Sequence, residues 1–226
     1  ENLRSDYYTD MIAGNDPDWV NVFILNNYGH VKSGRPVYPD YKDKVHAASN
    51  FLQPMHGVPL IIGMDQGLSP AAAFCQLSPT GELVVLEEIV AENCSIQEFA
   101  QDRLKPRLLN KYQKWWNNYQ IVIDPAALQR SQNDAKAAIE ILREAGLKVK
   151  TAYTNVATTR REAVVHFLRK VGGFLLSPDC SYLRKGFMSE YKYEEIRGRE
   201  ADRYRDKPAK NIYSHVHDAL QYAALE

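Results

Sequence analysis

The sequence predicts an α/β protein built on a mixed sheet of five or more strands, flanked by helices. Three short apolar runs come first, and the tight turns between them are typical of an antiparallel meander. These runs are Val58 to Met64, Ala71 to Leu77 and Leu83 to Val90. After residue 95, helical and strand-like stretches alternate, which is typical of parallel crossovers. A meander followed by crossovers gives a sheet with both antiparallel and parallel neighbours.

The helix after the meander has a recognisable start. Ser95 and Glu98 have the spacing of a capping box, which predicts a helix from there to about Trp116. Pro106 should kink or split that helix, because proline lacks an N–H and its ring clashes with the preceding turn. The run Gln120 to Ile123 then predicts a buried strand that ends on a carboxylate.

The next helix and strand form another crossover. Ser131 or Asn133 caps a helix that should end at Gly146, because glycine readily adopts the conformation that closes a helix. Residues 147–151 predict a short strand, the fifth of the sheet. A further helix is predicted from about residue 158 to 170.

The segment before the last helix is rich in charge. Residues 191–193 alternate like a strand. The charged run from Arg197 to Arg205 predicts either a β-hairpin inserted before the last helix or a mobile loop. Asn211 or Ser214 then caps the final helix.

Residues 1–57 differ from the rest of the chain because they are rich in turn signals, as between Gly34 and Pro39. Their apolar residues need a surface on which to pack. We expect a connector that docks either on the following domain, residues 58–226, or on a missing one. The chain opens on Glu1 rather than methionine, so we expect it to be a fragment of a longer protein.

The composition is that of an ordinary globular domain. Of 226 residues, 45% are hydrophobic and 25% are charged. Lys+Arg and Asp+Glu both total 28, so a surface that binds a polyanion must be local. The three cysteines lack metal-site spacing, which predicts reduced thiols. No apolar run approaches 18 residues, so no membrane span is predicted.

Three carboxylates occupy notable positions. Asp65 ends the first predicted strand, Asp124 ends the strand after the first long helix, and Asp218 lies on the last helix. A carboxylate beside a buried run is costly unless it is paired, hydrogen-bonded or bound to a metal. Asp218 lies off the main apolar face of its helix, on a row with His215 and Tyr222. Each aspartate taken alone also fits a turn or surface residue.

Taken together, the three aspartates predict a metal site. Carboxylates from two strands and a facing helix can hold two hard cations about 4 Å apart. Such a pair would activate water and stabilise the leaving oxygen of a phosphodiester. Gly63 and Gly67 would leave room for the ions and for a nucleic-acid backbone. A phosphate-binding loop of the GxxxxGK[ST] kind is missing from the sequence, so nucleotide hydrolysis is not indicated.

The order of these motifs resembles the C-terminal nuclease domain of the large terminase subunits, the DNA-packaging motors of tailed bacteriophages. The motifs are Gly63-x-Asp65-x-Gly67, Ile123-Asp124-Pro125, His217-Asp218-Ala219-Leu220-x-Tyr222 and, in the connector, Gly34-Arg35-Pro36-Val37-Tyr38-Pro39. The resemblance implies a ribonuclease-H-like fold and metal-dependent endonucleolytic cutting of concatemeric viral DNA. It also implies that Asp65, Asp124 and Asp218 are catalytic and bind Mg²⁺ or Mn²⁺ in a two-metal site.

The resemblance carries further expectations about the whole protein. Residues 1–57 would come from the connector to an ATPase domain that this sequence lacks, so no translocation activity is expected of this chain. The partners would be double-stranded viral DNA and, for the full-length protein, the portal and the small terminase subunit. The protein would work in the cytoplasm of the infected bacterial host and would be missing from the mature virion.

A basic stretch near the last helix is a candidate DNA contact. Its residues would track a phosphate backbone, although a solvated charged hairpin explains them equally well. The candidates are Lys192, Arg197, Arg199, Arg203, Arg205 and Lys207. His215 and His217 would position a water or protonate a leaving oxygen, but neither is assigned a catalytic role.

Two alternatives to a terminase nuclease stay open. One is a different nuclease of the same fold, either a Holliday-junction resolvase or a ribonuclease H. The other is a non-catalytic module of the packaging motor that binds DNA or the portal through a degenerate metal site. The three intact aspartates argue against the degenerate site.

Overall fold

The computed structural model describes residues 34–67, 69–128, 137–196 and 204–226. The predicted helix cap at Ser131 or Asn133 lies outside these ranges, and so do Arg197, Arg199 and Arg203. Within the described ranges, no helix combines the length and the apolar character needed to cross a membrane.

A six-stranded mixed sheet organises the chain. Its strands are β2 (Leu60–Asp65), β3 (Ala71–Leu77), β4 (Leu83–Val90), β5 (Tyr119–Ile123), β6 (Val149–Thr151) and β7 (Phe174–Leu176), in the order β6-β5-β2-β3-β4-β7. The β2–β3 and β3–β4 pairs are antiparallel, which confirms the predicted meander. The β2–β5, β5–β6 and β4–β7 pairs are parallel. The predicted mixed sheet is therefore confirmed.

A small second sheet ties the connector to the last part of the chain. Strand β1 (Arg35–Pro36) pairs antiparallel with β8 (Lys192–Tyr193). Beyond β8, Glu195 and Tyr204 form an antiparallel bridge, which joins the two limbs of the predicted hairpin. The segment that links these limbs lies outside the described residues.

Helices cover both faces of the large sheet. They are α1 (Asp43–His46), α2 (Ile96–Glu98), α3 (Lys105–Asn110), α4 (Ala138–Glu144), α5 (Ala157–Arg169), α6 (Ser181–Lys185) and α7 (Ile212–Ala223), with π-helical segments at Phe99–Leu104 and Gly186–Glu190. On one face α5, α6 and α7 pack on apolar side chains such as Ala73 and Val85. On the other face the segments from α2 to α4 pack on Ile62 and Phe74.

The predicted helix from Ser95 to Trp116 is partly wrong. The capping box is present, with Ser95 Oγ accepting from Glu98 N at 3.2 Å. The chain then continues through the π-helical segment, and α3 ends at Asn110. Pro106 lies in the first turn of α3, directly after the π-helical segment. The proline therefore marks a change of helix type within a segment shorter than predicted.

The described part of the connector docks on the sheet domain. Tyr38 is buried, and its hydroxyl accepts a hydrogen bond from Gln221 of α7 at 3.0 Å. Asp40 forms an ion pair with Arg169 at 3.1 Å. Residues 34–57 thus stabilise the face on which α7 lies. That residues 1–57 lead from an ATPase domain stays a prediction.

Candidate metal centre

Asp65 and Asp124 lie at the same edge of the sheet. Strands β2 and β5 run parallel, and their register ends with Met64 opposite Ile123. The two aspartates are the next residue on each strand, and neighbouring strands lie about 4.8 Å apart. Side chains alternate along a strand, so each aspartate faces away from the cluster that buries Met64 and Ile123. Both carboxylates therefore point to the face covered by α7.

Helix α7 brings the third carboxylate to this face. Asn211 caps it, with its side-chain oxygen accepting from Ser214 N at 2.9 Å. The helix crosses β2 at Gly63, where a Cβ atom would lie 1.9 Å from the carbonyl oxygen of Ala219. Glycine is required because helix and strand backbones touch. The expected role of Gly63, room for metal ions and DNA, is thus wrong: the space is taken by the helix.

Each of the strand-end aspartates is held by a side chain of α7. Asp65 Oδ2 lies 2.7 Å from His215 Nδ1. Tyr222 donates its hydroxyl proton to Asp124 Oδ2 at 2.7 Å, while Asp124 Oδ1 accepts from the Ala126 N–H at 2.8 Å. Both acids therefore have fixed orientations at the edge of the sheet.

Asp218 is the most enclosed of the three. Its side chain is 9% exposed and is contacted by two cations. Arg160 Nη1 of α5 lies 3.4 Å from Oδ1, and Lys210 Nζ lies 2.5 Å from Oδ2. Arg160 also lies over the Tyr222 ring, 4.7 Å from its centroid. Because an unpaired buried carboxylate is costly, these two cations offset the cost of burying Asp218.

One row of α7 connects the whole site. His215, Asp218 and Tyr222 are spaced by three and then four residues, so their side chains share one face of the helix. His215 reaches Asp65, Tyr222 reaches Asp124, and Asp218 lies between them on the row. The fold thus gathers the three predicted site residues around one ridge of one helix.

The donors suit a hard divalent cation, since Mg²⁺ and Mn²⁺ prefer carboxylate oxygens. In the conformation described, every one of the three carboxylates is engaged by another side chain. Within the described ranges, no three acidic, histidine or cysteine side chains stand close enough to form a ready-made cage. Binding an ion therefore requires Asp218 to release a cation and the carboxylates to turn toward one another.

The two histidines of the last helix have different environments. His215 is partly exposed beside Asp65. His217 is fully buried, stacked on Tyr191 at 4.8 Å and edge-on to Phe187 at 4.5 Å. Burial, only partly offset by the backbone of Leu183, lowers the pKa of His217 to about 3. His217 is thus a neutral core residue, whereas His215 belongs to the site.

The candidate DNA-binding residues have different environments in the structure. Lys192 lies in β8, and Arg205 pairs with Glu194 at 3.1 Å. Lys207 is exposed and lines a cleft of about 470 Å³ at the base of the hairpin. Lys210 lines the same cleft and also contacts Asp218. The cleft therefore adjoins the candidate metal centre.

Sequence reasoning missed several residues of this site. The spacing of the α7 row places His215 and Tyr222 beside Asp218, but it does not show that they contact Asp65 and Asp124. Arg160 and Lys210 carry no local signal, since Arg160 lies 58 residues from Asp218 along the chain. Their part depends on how α5 and the hairpin are placed against α7.

Solved structures share this architecture. The large terminase of the thermophilic bacteriophage D6E matches with a TM-score of 0.63 and 19% identity, over 98% of this chain and 52% of that one. The P22 large terminase nuclease domain matches with a TM-score of 0.61 and 14% identity, over 86% and 92% of the two chains. The fold is that of large terminase nuclease domains. The predicted ribonuclease-H-like fold is thus confirmed.

A third match was solved with a metal. It is the large terminase nuclease from the thermophilic phage G20c with bound magnesium, with a TM-score of 0.57 and 12% identity over 84% of this chain and 96% of that one. No protein-family model and no curated protein sequence matches the chain. The chain spans about half the length of the D6E terminase.

Proposed function

We propose that this chain is the metal-dependent DNA endonuclease domain of a viral genome-packaging terminase. The observation that carries the proposal is the α7 row, which links three carboxylates at the C-terminal edge of β2 and β5. The shared fold with large terminase nuclease domains supports the same function. The G20c structure, solved with bound magnesium, supports a divalent cofactor.

In this proposal Asp65, Asp124 and Asp218 hold Mg²⁺ or Mn²⁺ in a two-metal site. The ions supply activated water and charge stabilisation at the leaving oxygen of a phosphodiester. His215 fixes the direction of the Asp65 carboxylate, and Tyr222 does the same for Asp124. Such supporting contacts commonly change metal affinity or activity by about 10- to 100-fold.

Arg160 has a structural and an electrostatic role. Three carboxylates close together repel one another, which opposes their joint ionisation. The Arg160 guanidinium beside Asp218 offsets this repulsion from a position that is itself only 10% exposed. Arg160 thus compensates part of the negative charge that the three carboxylates bring together.

The whole protein would act on concatemeric double-stranded DNA with the portal and the small terminase subunit as partners. The work would take place in the cytoplasm of the infected host, before the virion is mature. These roles follow from the proposed family.

The experiment is cleavage of plasmid DNA with Mg²⁺ or Mn²⁺. Asp65→Asn, Asp124→Asn and Asp218→Asn should each reduce the rate about 100-fold, since the neutral amide lacks the negative charge with which a carboxylate holds a divalent cation. Asp179→Asn is the matched control, because Asp179 is 40% exposed and pairs with Lys111. A parent that leaves the plasmid intact, or three variants as fast as the parent, would refute the nuclease.

The same assay separates the alternatives. A four-way DNA junction and an RNA–DNA hybrid are offered beside the plasmid. Strong preference for the junction indicates a resolvase, and strong preference for the hybrid indicates a ribonuclease H. DNA binding without cleavage of any substrate indicates a non-catalytic module.

A further inference from the structure

More basic than acidic side chains line the cleft beside the metal centre. Arg205, Lys207 and Lys210 line it, together with Tyr204 and the acids Glu194 and Asp206. Arg205 is already paired with Glu194, and among the described residues Lys207 has no ion-pair partner. The cleft thus offers Lys207 and Lys210 to an incoming anion.

The two cations on Asp218 differ in how easily they can leave it. Arg160 is 10% exposed and is fixed between Asp218 and the Tyr222 ring. Lys210 is 71% exposed, and its flexible side chain ends in a strongly hydrated ammonium. Lys210 is therefore the cation that another anion can draw away from Asp218.

Lys210 also occupies the oxygen that a metal needs. Its ammonium lies 2.5 Å from Asp218 Oδ2, while Arg160 takes Oδ1. With both oxygens engaged by cations, Asp218 is a poor ligand for a further positive ion. If Lys210 moves away, one oxygen of Asp218 is free to bind a metal ion together with Asp65 and Asp124. The positive charge of Lys210 then no longer opposes that ion.

We propose that the cleft lined by Lys207 and Lys210 is a subsite for a backbone phosphate of the DNA substrate, and that Lys210 exchanges from Asp218 to this phosphate on binding. The inference rests on the proposed nuclease function and adds a substrate-binding site to it. DNA in the cleft then frees Asp218 for the cation, so DNA and metal bind with positive coupling. By thermodynamic linkage, the metal must tighten DNA binding by the same factor.

The experiment measures Ca²⁺ binding by calorimetry, with and without a short DNA duplex whose integrity is checked on a gel. For the parent, the duplex should tighten Ca²⁺ binding about 5- to 10-fold, within the usual range of coupling between sites. Lys210→Met should bind Ca²⁺ about 5- to 10-fold more tightly without DNA, and the duplex should add little. Thermal melting checks that Lys210→Met stays folded, since Arg160 still pairs with Asp218 when Lys210 is replaced.

Lys207→Met is the matched control from the same cleft. It should weaken DNA binding yet leave Ca²⁺ binding in the absence of DNA unchanged, because Lys207 does not contact Asp218. Two results together would overturn the exchange but leave the proposed nuclease intact. Lys210→Met and the parent would bind Ca²⁺ with equal affinity, and Asp218→Asn would abolish Ca²⁺ binding. Ca²⁺ binding that survives Asp218→Asn instead contradicts the metal centre itself, and with it the proposed function.

Discussion

The contact between Gly63 and α7 makes the sharpest prediction about this structure. A Cβ atom at Gly63 would lie 1.9 Å from the Ala219 carbonyl oxygen and 2.7 Å from the Ala223 nitrogen. Ordinary contact begins at 3.4 Å, so Gly63→Ala must push strand and helix apart by about 1.5 Å. Both opposing atoms belong to the helix backbone, so no side-chain rotation relieves the clash.

The size of the effect follows from this geometry. Overpacking a core by one methyl group costs about 1–3 kcal/mol, and a clash between backbones belongs at the upper end. For a protein of this length, about 3 kcal/mol lowers the melting temperature by roughly 6–12 °C. Because α7 carries Asp218, its displacement should also reduce cleavage about 100-fold, the usual loss for a misplacement of about 1 Å.

The assay is thermal unfolding by circular dichroism, followed by plasmid cleavage with Mg²⁺ below the transition. Gly67→Ala is the matched control, because its Cβ would meet His215 Cε1 at an ordinary 3.8 Å. It should change stability by no more than about 0.5 kcal/mol. Gly63→Ala with the melting temperature and cleavage rate of the parent would refute the close packing of α7 on β2.

Three other predictions concern the site, the charged hairpin and the core. Tyr222→Phe keeps the ring under Arg160 but removes the hydrogen bond to Asp124. The free energy of unfolding should therefore fall by about 1–2 kcal/mol and the rate of plasmid cleavage about tenfold. An unchanged cleavage rate would show that Tyr222 does not position Asp124. Replacing Arg199, Arg203 and Arg205 by glutamine should weaken DNA binding and flatten its dependence on salt, measured by anisotropy; an unchanged slope returns the hairpin to a solvated charged surface. His217 should make stability depend on pH, because its folded pKa of about 3 lies below the unfolded value near 6.5. Below pH 6.5 only the unfolded chain binds the proton. As the pH is lowered from 6.5 toward the folded pKa, the free energy of unfolding of the parent should therefore fall by about 1.4 kcal/mol per pH unit more than that of His217→Gln. Parallel curves of unfolding free energy against pH for the two proteins would contradict the buried neutral ring.

The difference between the His217→Gln variant and the parent is needed because other groups titrate in the same range. Burial raises the pKa of Glu88 to about 7, although the N–H groups of Leu183 and Tyr182 oppose this shift. Its folded pKa exceeds the unfolded value, so its contribution to stability falls as the pH rises toward 7, opposite in sign to that of His217. Subtracting the two unfolding curves cancels the contribution of Glu88.

Local patterns determined much of this protein. Short continuous apolar runs predicted β2 to β5, because a strand buried on both faces needs apolar side chains at successive positions. The capping residues Ser95 and Asn211 marked helix starts through hydrogen bonds that span only three residues. The order of Asp65, Asp124 and Asp218 gave the candidate site, because strand ends and a helix row are themselves local features.

Other features were decided only by the tertiary structure. Strand β7 is three residues long, too short to show a period, and is defined by pairing with β4. The need for glycine at position 63 comes from the approach of α7, and the partners of Asp218 come from α5 and the hairpin. The sequence thus determined where each carboxylate lies, at the ends of two strands and on the last helix. Packing between distant segments decided most of what holds them, because Arg160, His215 and Tyr222 come from distant parts of the chain and leave no periodic trace.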